Sequence, residues 1–141
     1  MPQRNPELAD RWIIQAVTLT RWLRAADPDP QLSGPQASAM AIIVYAGRIR
    51  PSDLADLEEV KRPTIARTIT QLSAMGLIYR EADTADARNA FLVPTKKGRT
   101  VFAAGQRRRA RPLAAALSKL TDAEIKVLER AAVIVERVLP E

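Results

Sequence analysis

The sequence predicts a mainly α-helical fold carrying one small β-hairpin, with a helix at each end beyond what a small domain needs. Three observations carry that expectation. Apolar residues recur at helical spacing through most of the 141 residues. Two helical stretches, 51–57 and 63–74, stand only a few residues apart. Directly after them the apolar period shortens for two strands flanking a polar turn.

The chain opens with Asn5-Pro6-Glu7, a cap, a first-turn proline and an acid, which starts a helix. Leu8, Trp12, Ala16, Leu19 and Leu23 then line one stripe of it. Asp27-Pro28-Asp29-Pro30 must end it, because the residue before a proline is driven out of the helical region. Ser33 and Gln36 form a capping box, with Leu32 as the staple residue, and open a helix from Pro35 to about Ala46. That helix is apolar nearly all round, which places it at the centre of the domain, and Gly47 closes it. Pro51 to Leu57 follows as a short helix with Leu54 and Ala55 inward.

The organising stretch is Val60 to Leu77. Ile65, Ile69 and Leu72 share one helical face, with Thr68 beside them. Pro63, Arg67, Thr70 and Ala74 fall opposite, flanked by Thr64, Ala66 and Gln71. This outer face is small and polar with one long cation, so a duplex groove can admit it. Pro63 fits the first helical position and makes Arg62 the N-cap, a poor cap whose charge opposes the helix dipole. A phosphate beside Arg62 would compensate. An ordinary amphipathic helix with a solvated polar face is the plainer alternative. Gly76 ends the helix, and the pair of helices with a tight turn between them reads as a helix-turn-helix.

Leu77 to Glu81 and Ala90 to Val93 are the strands, joined by the polar turn Asp83 to Asn89. A helix-turn-helix followed at once by such a hairpin is a winged helix. From Thr95 the chain is helical again, with seven basic residues and no acid between Lys96 and Arg111. Solvated surface and phosphate contact are both open readings of that run. Pro112 should kink this helix, after which Leu113, Ala116, Leu117 and Leu120 take over its packing side. Thr121 and Glu124 form a second capping box, and Ile125, Leu128, Ala132, Val135 and Leu139 line the last helix.

The whole of 1–141 is thus read as one domain. Residues 33–111 form the winged helix-turn-helix lobe with the start of a long linking helix, and 6–32 with 112–141 form a dimerisation region. Leu8, Trp12, Leu128, Val135 and Leu139 are its expected contact residues. The alternative is that these helices only enlarge the core. Two recognition helices in successive major grooves, ~34 Å apart, favour the two-fold dimer.

Composition narrows the function. There are no cysteines and no histidines, which excludes disulfides, thiolate metal sites and thiol redox sensing, and removes the usual general base. No metal and no cofactor is expected. A net charge of +6 favours a polyanion, with nucleic acid ahead of membrane. No apolar run approaches the ~20 residues of a membrane span, and Met1 to Leu8 lacks the apolar core of a signal peptide, so a cytoplasmic location is expected. Asp53, Asp56, Glu58 and Glu59 are the only dense carboxylate cluster, and solvated helix surface explains them better than catalysis.

The residues resemble those of MarR-type (multiple antibiotic resistance regulator) transcription factors. Ser52-Asp53-Leu54-Ala55, Arg62-Pro63-Thr64-Ile65-Ala66-Arg67, Gly76-Leu77, Asp86-Ala87-Arg88, Thr95-Lys96-Lys97-Gly98-Arg99 and Leu120-Thr121-Asp122-Ala123-Glu124 carry the likeness, by their order and spacing together. It implies a homodimeric regulator, usually a repressor, on a palindromic operator in double-stranded DNA. By that resemblance Arg67, Thr64, Pro63 and Ala66 face bases in the major groove. Arg88, held by Asp86, enters the adjacent minor groove. Many members release DNA when a small aromatic or anionic effector binds. Trp12, Met40 and Tyr45 are the candidate lining here, with core packing as their plainer role.

Three departures accompany the likeness. Glu59 stands where a small turn residue is usual, which predicts a looser turn. Glu58 and Glu59 bring negative charge near the DNA face. Pro94 replaces an aliphatic strand residue and should mark a strand edge or end. A winged helix used for protein interaction, without sequence-specific DNA binding, is the competing function.

Overall fold

The computed structural model describes residues 5–26, 30–86 and 89–139. Its elements run α1 (Pro6–Ala26), α2 (Gly34–Ala46), α3 (Pro51–Leu57), α4 (Arg62–Ala74), β1 (Ile78–Ala82), β2 (Ala90–Pro94), α5 (Lys96–Leu117) and α6 (Asp122–Val138). The chain divides near residue 27 and between Arg107 and Arg108 into two compact units. One holds α2 to β2 with the first half of α5; the other holds α1, the rest of α5 and α6.

The lobe of residues 28–107 contains the core. Met40 and Ile43 of α2, Leu54 of α3, Ile69 and Leu72 of α4, Leu77, and Leu92 of β2 are its largest fully buried side chains. The apolar α2 lies at the centre, as its composition requires: Ala39, Met40 and Ile43 are buried, with Ala37, Ile42 and Val44 packed against the same cluster. Its start is fixed by the Ser33–Gln36 box and its end by Gly47 at φ 73°. On α4, Ile65, Thr68, Ile69 and Leu72 are the buried residues, which is the face the spacing predicts.

Two boundaries need correction. The N-cap of α4 is Lys61, with Arg62 the first helical residue. Proline is tolerated throughout the first turn because those N–H groups have no partner within the helix, so Pro63 does not by itself fix the boundary. The turn after α3 is also tight. Glu59 adopts φ 54°, and the amides of Glu59 and Val60 donate to the carbonyls of Asp56 and Ala55 at 3.1 Å each. This is the double bond pattern of a Schellman ending, usually closed by glycine. The end of α4 repeats it with Gly76 at φ 71° and bonds from Gly76 to Ser73 and from Leu77 to Leu72.

β1 and β2 pair antiparallel in the register Ile78↔Pro94, Arg80↔Leu92, Ala82↔Ala90. Pro94 is the last residue of its strand, where its missing N–H costs no ladder bond. Ile49 adds a bridge to the other edge of β2, exchanging both backbone bonds with Leu92 at 3.1 and 2.7 Å. α5 begins against the end of α4. The Thr95 hydroxyl donates to the Gly76 carbonyl at 2.6 Å and accepts from the Gly98 amide at 2.9 Å. The Lys97 ammonium donates to the Met75 carbonyl at 2.8 Å. Gly98 is required there, because a Cβ at that position would sit 2.0 Å from the Leu77 carbonyl oxygen.

In the other unit, α6 starts at the Thr121–Glu124 capping box. The Glu124 carboxyl is held below its ordinary pKa, first by the Thr121 backbone N–H and then by the Thr121 hydroxyl, both at 2.8 Å. α5 continues as α-helix through Pro112. No residue of α1 or α6 is buried.

Candidate nucleic-acid interface

The outward side of α4 is built from the residues between its buried ones. Arg62, Pro63, Thr64, Ala66, Arg67, Thr70 and Gln71 are all exposed on it. The side chains on this face are short apart from Arg62, Arg67 and Gln71, so the helix backbone can approach a partner closely. Thr70 folds back, its hydroxyl donating to the Ala66 carbonyl at 2.9 Å. The Gln71 carboxamide oxygen accepts from Gln36 Nε2 at 3.0 Å. Gln36 also accepts from the Ser33 amide through Oε1, so one side chain caps α2 and braces the outer face of α4.

The start of α4 is electrostatically unbalanced. α2 and α6 both begin with side-chain capping boxes, whereas α4 has no side-chain cap and no acid in its first turn. Lys61 and Arg62 instead add two positive charges to the positive end of the helix dipole. An anion placed there would satisfy amides and charges together.

A groove of about 510 Å³ runs between the start of α3, α4 and the hairpin, lined by Arg50, Arg62 and Arg80 together with Ser52, Ala66 and Asn89. Of these, Arg62 and Ala66 were expected at a site; Arg50, Arg80 and Asn89 were not. The overlooked signal was Arg48-Ile49-Arg50, an alternation long enough for only one bridge to β2.

The hairpin tip is organised by two aspartates. Asp83 accepts from the Ala85 amide through Oδ1 at 2.9 Å, and its own amide donates to the Asn89 carbonyl at 2.9 Å. Asp86 accepts from the Asn89 amide at 3.0 Å and from the Asn89 side chain at 3.4 Å. Arg88, expected to be aimed by Asp86, lies outside the described residues.

The acidic residues near this face divide. Glu58 turns toward α2, where its carboxylate accepts from the Ser38 hydroxyl at 2.6 Å, while Asp53, Asp56 and Glu59 are exposed. Among the described residues no group of three acidic side chains is placed to hold a metal ion. Of the candidate effector residues, Met40 is wholly inside the core, and Tyr45 is exposed with its hydroxyl accepting from Gln106 at 2.6 Å. Tyr45 also meets Phe102 edge to face at 5.5 Å. Trp12, on α1, is 44% exposed.

Comparison with known proteins agrees with this geometry. The MarR family matches over residues 32–90, the span from the start of α2 to the hairpin. An HTH-type transcriptional regulator of Mycobacterium bovis is 30% identical over 132 residues, covering 94% of this chain and 92% of that protein. The crystal structure of a Mycobacterium tuberculosis protein superposes with a TM-score of 0.79 at 22% identity, covering 99% of this chain and 98% of the other. A mutant of Escherichia coli MarR in complex with operator DNA superposes with a TM-score of 0.62 at 20% identity, over 96% and 95% of the two chains. The likeness to these structures is one of fold, while the identity to the mycobacterial regulator extends over nearly the whole sequence. The chain belongs to the MarR family of winged helix-turn-helix transcriptional regulators.

Proposed function

We propose that the protein is a repressor that binds a palindromic operator as a homodimer, with α4 as the recognition helix. The observation that carries this reading is the outer face of α4: exposed, small and polar, and led by an uncapped, doubly cationic terminus. Arg67 with Pro63, Thr64 and Ala66 reads base edges in the major groove. Arg62 holds a phosphate at the helix start, Thr70 and Gln71 border the groove, and Asp86 and Arg88 serve the wing. Binding to DNA flanking its own gene, titrated at several salt concentrations and followed by footprinting, tests this. Affinity falling steeply with salt and a two-fold symmetric footprint are expected. Salt-insensitive or absent binding would instead favour a winged helix used for protein interaction.

Dimerisation is assigned to α1 and to 112–141; of the expected span 6–32, residues 30–32 belong to the lobe, where Leu32 is buried in the core. Leu8, Trp12, Leu128 and Leu139 are 48%, 44%, 44% and 61% exposed in the single chain, and Val135 is half-buried; Leu139, expected on the last helix, is instead its extended C-cap. Apolar helix faces of this extent call for a partner, and a second copy supplies the two-fold axis a palindrome needs. Release by a small aromatic or anionic effector completes the reading. It is supported by family membership and by the accessible rings of Trp12 and Tyr45, and not by Met40. Quenching of tryptophan fluorescence by an aromatic carboxylate, with loss of DNA binding at the same concentration, is its test.

A further inference from the structure

The hairpin carries a device that the recognition-helix reading does not use. Ile49 and Leu92 are both buried and paired, so residues on either side of them face the opposite, outer surface of the small sheet. On that surface Phe91 of the middle strand lies beneath two guanidinium groups from the edge segment. Arg48 Cζ stands 3.8 Å and Arg50 Cζ 5.2 Å from the ring centroid. Each arginine then reaches across the middle strand to a carboxylate on the far side. Arg48 Nη2 lies 3.6 Å from Oε2 of Glu81, the cross-strand partner of Phe91. Arg50 Nη2 lies 3.4 Å from Oδ2 of Asp83, the residue that closes the base of the tip. Two cations, one ring and two acids thus strap the hairpin to the segment that leads into α3.

We propose that Arg48 and Arg50 are positioning residues that set the angle of the wing against the recognition helix, and thereby its reach into the groove flanking each half-site. The inference rests on the DNA-binding reading above. The strap is on the exposed side, whereas the hairpin is held to the core by Ile78 and Leu92, so its loss spares folding and frees the tip. Arg50 also borders the groove shared with Arg62, which ties the strap to the start of α4. Two exposed cation–carboxylate pairs, reaching past one ring, make the strap sensitive to ionic strength.

The test uses the full-length double variant Arg48→Gln/Arg50→Gln. Expected are an unchanged helical circular dichroism spectrum and faster hydrogen exchange at the amides of Asp83, Ala85 and Asn89. Affinity for the operator should fall about tenfold, with protection lost at the outer flanks of the footprint and base preference under α4 retained. Arg48→Lys/Arg50→Lys, which keeps both cations over the ring, should restore part of the outer protection. Unchanged exchange at those three amides overturns the proposal, whatever happens to affinity, because the arginines would then be simple phosphate contacts or bystanders. An unchanged footprint with faster exchange overturns it equally. If the wild type binds no promoter DNA, the DNA reading itself fails, and exchange alone still decides whether the strap exists.

Discussion

Glu59 and Gly76 occupy the same position at the ends of successive helices, each the left-handed residue that closes α3 or α4, at φ 54° and φ 71°. Glycine takes this conformation freely; an L side chain is strained in it. Glu59→Gly should therefore stabilise the protein by about 1 kcal/mol, while Gly76→Ala should destabilise it by at least that much. Equilibrium urea unfolding measures both. Equal stability of Glu59→Gly and wild type would remove the strain argument.

At α4, the proposed recognition helix, Arg67→Ala should cost about 1–3 kcal/mol in operator binding and relax preference at one position per half-site. Competition binding against a library of single-base operator variants reads this directly. A loss spread evenly over all variants would assign Arg67 to a phosphate instead.

The proposed assembly rests on the apolar side of α6. Leu128→Asp/Val135→Asp places two carboxylates where the proposed partner would bury them, at a cost the interface cannot meet. Sedimentation should show a wild-type dimer at tens of micromolar and a monomeric or unfolded variant. A monodisperse wild-type monomer would end the dimer claim.

Close packing at the start of α5 makes a third position sensitive. Gly98→Ala must displace the Leu77 backbone, since the added carbon falls 2.0 Å from a carbonyl oxygen. A loss of roughly 1–3 kcal/mol is expected, although the same change at an exposed helical glycine would raise stability. Thermal melts compared with an exposed control such as Gly34→Ala, where the added carbon meets nothing within 4 Å, separate packing from propensity.

The capping box of α6 predicts a pH dependence. Glu124 is depressed by its bonds from Thr121, so its contribution is complete above the unfolded carboxylate pKa. That contribution fades as pH falls through the lower folded value. Glu124→Gln keeps an oxygen to accept the bonds but does not titrate. The melting-temperature advantage of wild type over this variant should therefore be present at neutral pH and shrink in acid; a constant difference would falsify the assignment.

Local chemistry explains which features were legible in the sequence. Ser33 with Gln36, Thr121 with Glu124, Gly47 and Gly76 each act within four residues of themselves, and each stands where expected. The inward face of α4 was equally plain because Ile65, Ile69 and Leu72 keep one period over two turns. Features set by distant partners were not. Glu59 has poor intrinsic preference for its conformation, and only the demand for a tight turn between α3 and α4 places it there. Arg48 and Arg50 belong to too short a segment for periodicity, and their partners lie more than thirty positions along the chain. The expected cap, Arg62, was one residue late because a first-turn proline suits more than one position and does not fix which residue precedes the helix.

The joint between the end of α4 and the start of α5 bears on genetic screens. Thr95, Lys97 and Gly98 hold the carbonyl end of the recognition helix through Met75, Gly76 and Leu77. If the protein represses as proposed, a selection for loss of repression would return substitutions there alongside those at Arg67, although the joint lies at the opposite end of α4 from its cationic start. Sorting the survivors by protein abundance would part the two classes: misaimed helices in unstable chains on one side, stable chains that have lost only a contact on the other.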